Sequence, residues 1–185
     1  IVVACIPAAI VGILFDDKIN ELFYNPTVIA IALIVFGIAF IFIENWHKSR
    51  KSEPRVLDPI NITYRDALII GLFQLIAAIF PGTSRSGATI IGGLLIGLSR
   101  TTAAEFTFYL AVPVMFGASL LKLVKFGLAF TGAELAILIV GMVAAFIVSI
   151  LVIKFLMNYI KKHDFKPFGW YRIILGILVF ATLVF

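Results

Sequence analysis

Apolar residues run along this chain in long unbroken stretches, cut by short polar gaps. The stretches at 1–15, 27–43, 106–121, 134–157 and 170–185 read as membrane-spanning helices, the first about a turn short of a full crossing. None alternates with the period of two of a barrel strand. The gap at 16–25 carries Asp16, Asp17, Lys18 and Glu21 and closes at Asn25-Pro26. The gap at 44–66 is the longest, with His47, Lys48, Arg50, Lys51, Arg55 and Arg65, and with Pro54 and Pro59 as breakers. Two apolar pieces follow, 67–80 and 87–98, separated by a polar break that begins at Pro81-Gly82. Each spans roughly 18–21 Å at 1.5 Å rise per residue, too short for a hydrocarbon core of about 30 Å. They predict a re-entrant hairpin over 67–98, two half-helices that enter and leave by one face. Non-helical backbone at membrane depth is tolerated only where protein or a watery cavity surrounds it. Broken helices often line a binding site.

Composition turns this pattern into a fold class. The chain is 62% hydrophobic and 14% charged, with a mean hydropathy of +1.14. Soluble domains are about 45–50% apolar and about 25% charged. Such an excess cannot be hidden inside a 185-residue globule, so lipid is the solvent for most of the surface. Only helices or closed barrels cross lipid, because every backbone polar group must be satisfied internally. The expectation is an all-α polytopic membrane protein, one membrane domain over 1–185.

The net charge of +5 sits in the gaps, as in the cytoplasmic loops of membrane proteins, and does not indicate a nucleic-acid surface. The loop at 44–66 and the loop at 158–167, with Lys161, Lys162 and Lys166, both read as cytoplasmic. An even number of crossings must separate them. A non-crossing hairpin plus the spans 106–121 and 134–157 gives two; the short lengths, rather than parity, decide for the hairpin. On this reading 16–25 and the C-terminus lie outside, and so do Lys122 and Lys125, against the charge rule. Cys5, alone in an apolar run, reads as a small packing residue. Ile1 stands inside an apolar run with neither a basic n-region nor a cleavage site, so the start is not a signal peptide and upstream sequence is expected.

The break reads PGTSRSGAT, from Pro81 to Thr89. Arginine at membrane depth costs at least about 2.5–3.5 kcal/mol on insertion scales, so Arg85 needs an anionic partner. Guanidinium matches phosphate oxygens bidentately and keeps its charge. Gly82 lets the chain turn and lets backbone N–H groups approach a ligand. A half-helix starting near Ser86, next to Gly87, points its free N–H groups and positive dipole end at the same place. The hydroxyls of Thr83, Ser84, Ser86 and Thr89 either cap that helix or donate to phosphate oxygens. The bland alternative is an ordinary capped helix whose arginine pairs elsewhere. An arginine, four hydroxyls and two glycines in nine residues favour an anion site.

The remaining candidates are weaker. Ser99, Arg100, Thr101 and Thr102 read as a hydroxyl-capped helix start with Glu105 near its positive end. The other reading of Glu105 is an approach to Arg85 from the next helix. Gln74 is either an interhelical hydrogen bond or a ligand contact. His47 and His163 read as surface histidines. Pro113 reads as a kink, and Trp170, Tyr171 and Arg172 as an interfacial anchor. No metal-ligand spacing, nucleotide loop or nucleic-acid module is present.

The sequence resembles the undecaprenyl-diphosphate phosphatases, the bacitracin-resistance phosphatases of bacterial inner membranes. The family pattern Pro-Gly-x-Ser-Arg-Ser-x-x-Thr is met at Pro81, Gly82, Ser84, Arg85, Ser86 and Thr89, and the resemblance covers essentially the whole chain. YRDALIIGLFQLIAAIFPGTSRSGATI, GLSRTTAAEFTFYLAVPVMFGAS and FGWYRIILG carry it. It implies hydrolysis of undecaprenyl diphosphate to undecaprenyl phosphate and inorganic phosphate, outside the cytoplasm, with recycling of the cell-wall lipid carrier. It implies catalytic roles for Arg85, Ser84 and Thr89, and substrate contacts from Gly82, Thr83, Ser86, Gly87 and Gln74. Glu105 is a candidate for the surrounding shell. The implied fold is an inverted repeat with two facing hairpins, of which this chain holds the second. The glutamate-rich first hairpin, with its Pro, Ser and His, has no counterpart here. The resemblance therefore also implies a divalent cation, Mg or Ca, whose ligands are not in this chain, and a fragment that is inactive alone. The alternative function is a non-hydrolytic transporter or flippase of a phosphorylated polyprenyl lipid. A Ser-Arg…His lipid phosphatase is excluded, because no histidine lies between Ser86 and Phe108.

Overall fold

The computed structural model describes residues 1–49, 53–127 and 131–184. They form seven α-helices and one 3-10 turn, and no strand is present among them. The helices are α1 (Val2–Phe23), α2 (Pro26–Ser49), α3 (Tyr64–Ile79), α4 (Arg85–Leu95), α5 (Arg100–Phe126), α6 (Gly132–Ile160) and α7 (Lys166–Val184). Four stretches are long and apolar enough to cross a membrane: Pro26–Ser49, Arg100–Lys125, Gly132–Ile160 and Lys166–Leu183. The chain is an all-α polytopic membrane protein.

Helices outrun the apolar stretches that predicted them. α1 continues through the charged residues up to Phe23, because lysine, glutamate and leucine are good helix formers and no breaker occurs before Asn25-Pro26. There the chain restarts at once: Asn25 Oδ1 accepts from Val28 N–H at 2.9 Å, and Pro26 opens α2, where its missing N–H costs nothing. α2 likewise runs past Glu44 to Ser49, so much of the polar gap at 44–66 is helix; Arg50 and Lys51 lie outside the described residues. α5 starts at its Ser99 cap and passes through Pro113 without ending.

Close backbone approach sets the packing. α7 lies along α2 most extensively; a Cβ at Gly37 would sit 2.7 Å from Gly169 O, and one at Gly176 would sit 2.9 Å from Ala30 O. α1 meets α3 at Gly71, where a Cβ would come 2.6 Å from Ala4 O. The apolar core gathers Ile70, Leu94, Leu98, Phe106 and Leu110 from α3, α4, α5 and the turn between α4 and α5. α6 stands nearly apart, with only Ile160 buried, as suits a helix whose solvent is lipid.

Ion pairs fasten one end of the bundle. Glu44, fully buried, accepts from Arg100 Nε at 2.7 Å and from Arg100 Nη2, and its second oxygen accepts from Phe165 N–H at 3.4 Å. Lys48 pairs with Asp164 at 2.7 Å, and this hydrogen bond holds the Asp164 carboxyl below the usual carboxylate range. Arg55 pairs with Asp66 at 2.5 Å. Burial alone would raise the Asp66 carboxyl, but the Thr63 hydroxyl and Arg55 outweigh it and hold it low. Glu44 was read from sequence as the start of a polar loop; it is the buried counter-charge that joins α2, α5 and the α6–α7 link.

The same end holds both outer ends of the α3–α4 pair. Arg55 N–H donates to Gly97 O at 2.8 Å, and Ser99 N–H to Val56 O at 3.0 Å, beside the first turn of α3. The pair is thus a hairpin that starts and finishes at the Glu44 end. Its tip, Gly82, packs on the backbone of Ile29, where a Cβ would meet Ile29 O at 2.7 Å. Fifteen residues of α2 separate Ile29 from Glu44, a distance of about 22 Å along the helix.

Candidate functional site

Phe80 caps α3, and Pro81 has no N–H to continue it. Thr83 N–H bonds back to Phe80 O at 3.2 Å, closing a turn through Gly82 at φ +89. Any side chain at Gly82 would be strained by that φ and would also meet Ile29. Ser84 then caps α4, its Oγ accepting from Gly87 N–H at 3.1 Å. Ala88 N–H bonds to Ser84 O. Of the first three helical N–H groups, only that of Gly87 is taken up by the cap, and those of Arg85 and Ser86 have no partner within the helix. Ser84 Oγ lies 3.1 Å from Ser86 Oγ, so the two hydroxyls share one edge of the break, with Ser86 exposed.

Arg85 opens α4 and is partly buried. Its Nη1 approaches Met115 Sδ of α5 at 3.4 Å, a weak acceptor. No ion pair among the described residues involves Arg85. Glu105 does not reach it. Glu105 lies beyond the first turn of α5, which begins at Arg100, so it does not serve as the helix-start acid either. A guanidinium at the positive end of a helix, with no carboxylate beside it, has the chemistry that suits an anion.

Two expected ligand contacts, Thr89 and Gly87, have other duties. Thr89 is buried; its hydroxyl bonds to the carbonyls of Arg85 and Ser86 at 3.1 and 3.0 Å and accepts from Thr107 Oγ1 at 2.9 Å. It braces the first turn of α4. Gly87 spends its N–H on Ser84 and lies against the Phe40 ring, where a Cβ would come within 2.8 Å. Gln74 and Thr83 are buried, and Gln74 Oε1, Gln74 Nε2 and Thr83 Oγ1 have no hydrogen-bond partner. Gln74 thus makes no interhelical hydrogen bond. Its ligand-contact alternative stands, as does that of Thr83, and the break itself brings together Gly82, Ser84, Arg85 and Ser86, with Thr89 behind them.

Sequence reasoning missed one residue. Arg172 was grouped with Trp170 and Tyr171 as an interfacial anchor. Trp170 and Tyr171 are exposed, but Arg172 turns inward and its Nη2 donates to Gly82 O at 2.5 Å. The signal was available: an arginine in an apolar segment needs acceptors, the argument already applied to Arg85. His163 does lie exposed, stacked on Tyr159 at 4.3 Å.

The groups at the break are donors and positive charge. Hard divalent cations take carboxylate and carbonyl oxygens. Among the described residues no three of His, Cys, Asp and Glu gather. The described residues do not by themselves fit a divalent cation, and no step below runs through one.

Residues 1–178 match the family described as Bacitracin resistance protein BacA. The chain is 67% identical over 179 residues to an undecaprenyl-diphosphatase of Desulfitobacterium hafniense, covering 97% of this chain and 64% of that protein. It is 66% identical over 186 residues to undecaprenyl-diphosphatase 1 of Clostridium acetobutylicum, covering 100% of this chain and 67% of that protein. An undecaprenyl-diphosphatase of Enterococcus faecalis is 62% identical over 179 residues, 97% of this chain and 64% of its own length. The chain thus spans about two thirds of the length of these curated relatives. On a match over nearly all of its residues, the chain belongs to the bacitracin resistance protein BacA family.

Proposed function

We propose that this chain supplies the phosphate-holding half of a membrane phosphatase that converts undecaprenyl diphosphate to undecaprenyl phosphate and inorganic phosphate. The observation that carries the reading is Arg85: partly buried, at the N-terminus of α4, unanswered by any carboxylate among the described residues. The names of the relatives supply the substrate class.

In this reaction a water oxygen bonds to the terminal phosphorus, the bridging P–O bond breaks, and the bridging oxygen leaves with the lipid phosphate. Charge grows on the transferring oxygens. Arg85 holds two of them through its fork, and the N–H groups of Arg85 and Ser86 aim at the same charge. Ser84 Oγ already accepts from Gly87 N–H, so one proton of the Ser84–Ser86 hydroxyl pair is left to donate to a phosphate oxygen. The base that takes the proton of water lies elsewhere, because no carboxylate or histidine of this chain lies between Asp66 and Glu105.

The protein works, on this reading, in a bacterial plasma membrane. The hairpin tip is level with Ile29, about 22 Å along α2 from the basic end, which carries Lys48, Arg55, Arg100 and Lys166. Basic ends face the cytoplasm, so the break opens to the opposite, extracytoplasmic side. The half-helices then form a re-entrant pair.

The test is release of inorganic phosphate by the complete purified protein from undecaprenyl diphosphate. Release that disappears with Arg85→Ala supports the proposal. Transbilayer movement of the lipid without release would replace it with a flippase.

A further inference from the structure

We infer that Arg172 is a positioning residue for the phosphate site, holding the Gly82 turn so that Ser84 and Arg85 face the ligand together. The inference rests on the reading of the break as a phosphate site.

The mechanical case starts at α2. Gly169 and Gly176 bring the α7 backbone into contact with α2, and Arg172 lies between them, so its Cα has a fixed station over α2. Gly82 packs on the same helix, at Ile29. Across this short gap Arg172 Nη2 donates to Gly82 O at 2.5 Å. The N–H of the same peptide unit, that of Thr83, donates to Phe80 O at 3.2 Å. The peptide plane between Gly82 and Thr83 is therefore pinned on both edges. One residue later Ser84 caps α4, and the next is Arg85. Gly82 has no side chain to restrict its own rotation, so an external tie must fix the turn.

The energetic case points the same way. An arginine near the end of a lipid-facing helix satisfies itself most cheaply by extending its head to water. Arg172 does not: its Nε is buried without a hydrogen-bond partner, and it forms no ion pair among the described residues. That inward placement is unfavourable on its own. It becomes explicable if the charge serves the break, where it fixes the Gly82 carbonyl and adds positive potential beside the Arg85 site.

The experiment uses the complete protein with Arg172→Lys and Arg172→Gln, beside Arg85→Ala. It reads kcat and KM for phosphate release together with thermal unfolding in detergent. Misplacing a reacting group by about 1 Å costs roughly a hundredfold. The expected result for Arg172→Lys is a kcat lowered about tenfold to a hundredfold, with KM and melting temperature nearly unchanged. Arg172→Gln, which loses the charge as well, loses more. A pure membrane anchor accepts lysine in place of arginine, so full kcat in Arg172→Lys overturns the inference. So does a loss of activity that only tracks the loss of folded protein, with kcat per folded molecule unchanged in both variants. If Arg85→Ala also keeps its turnover, the phosphate site itself is wrong; if only Arg172→Lys keeps it, the positioning role alone falls.

Discussion

Gly82 shows how closely this site depends on one atom's absence. At φ +89 an L side chain is strained by about 1–3 kcal/mol, and here a Cβ would also press on the Ile29 backbone, which cannot rotate away. Gly82→Ala should therefore lower the melting temperature of the protein in detergent and displace Ser84 and Arg85 together. Phosphate release should fall by more than the loss of folded protein explains; wild-type stability and turnover in this variant would refute the turn described here. Neighbouring residues divide the labour. Ser86 is exposed and Arg85 partly buried, while Thr89 and Thr107 form a buried hydrogen bond that braces the turn behind them. Residue type and density along the chain singled out Pro81 to Thr89 as the candidate site. They could not separate the Ser84 cap from the Thr89 brace, because caps and braces use the same residue types at the same spacing.

At the scale of elements, the α3–α4 hairpin is held by polar ties at the end opposite its tip. The buried Glu44 is central, since three elements converge on its carboxylate. Removing one partner of a buried pair costs about 3–5 kcal/mol, less where the other charge keeps some solvent, as Arg100 does. Glu44→Ala should thus destabilise the protein strongly, and Arg100→Met in the same chain should recover part of the loss. Unfolding measurements on the two single variants and the double variant check this; simple additivity would contradict the pairing. Much of this architecture was legible in the apolar pattern, including the short α3 and α4 and the break between them. Helix ends were not, because runs such as Asp16 to Phe23 and Glu44 to Ser49 contain no breaker and continue the helix on propensity alone. The Glu44–Arg100 tie joins residues 56 positions apart, and no local pattern announces such a partner.

As a whole, the molecule has two unlike ends. Lys48, Asp164, Arg55 and Arg100 gather at one end, and the hairpin tip lies near the other. In a background lacking Cys5, cysteines replacing Glu53 and Lys162 should be labelled by an impermeant reagent only from the cytoplasm, and one replacing Glu21 only from outside. Labelling of positions 53 and 162 from opposite sides would remove the hairpin topology. The central claim is that Arg85 clamps a phosphoryl group through its planar fork, and Arg85→Lys in the complete protein tests it most directly. Lysine keeps the charge and loses the bidentate geometry. Removing one preorganised donor to transition-state charge costs about a hundredfold to a thousandfold in kcat. Phosphate release from undecaprenyl diphosphate should fall by that factor while the melting temperature holds; a rate within a few-fold of the unchanged protein would contradict the clamp.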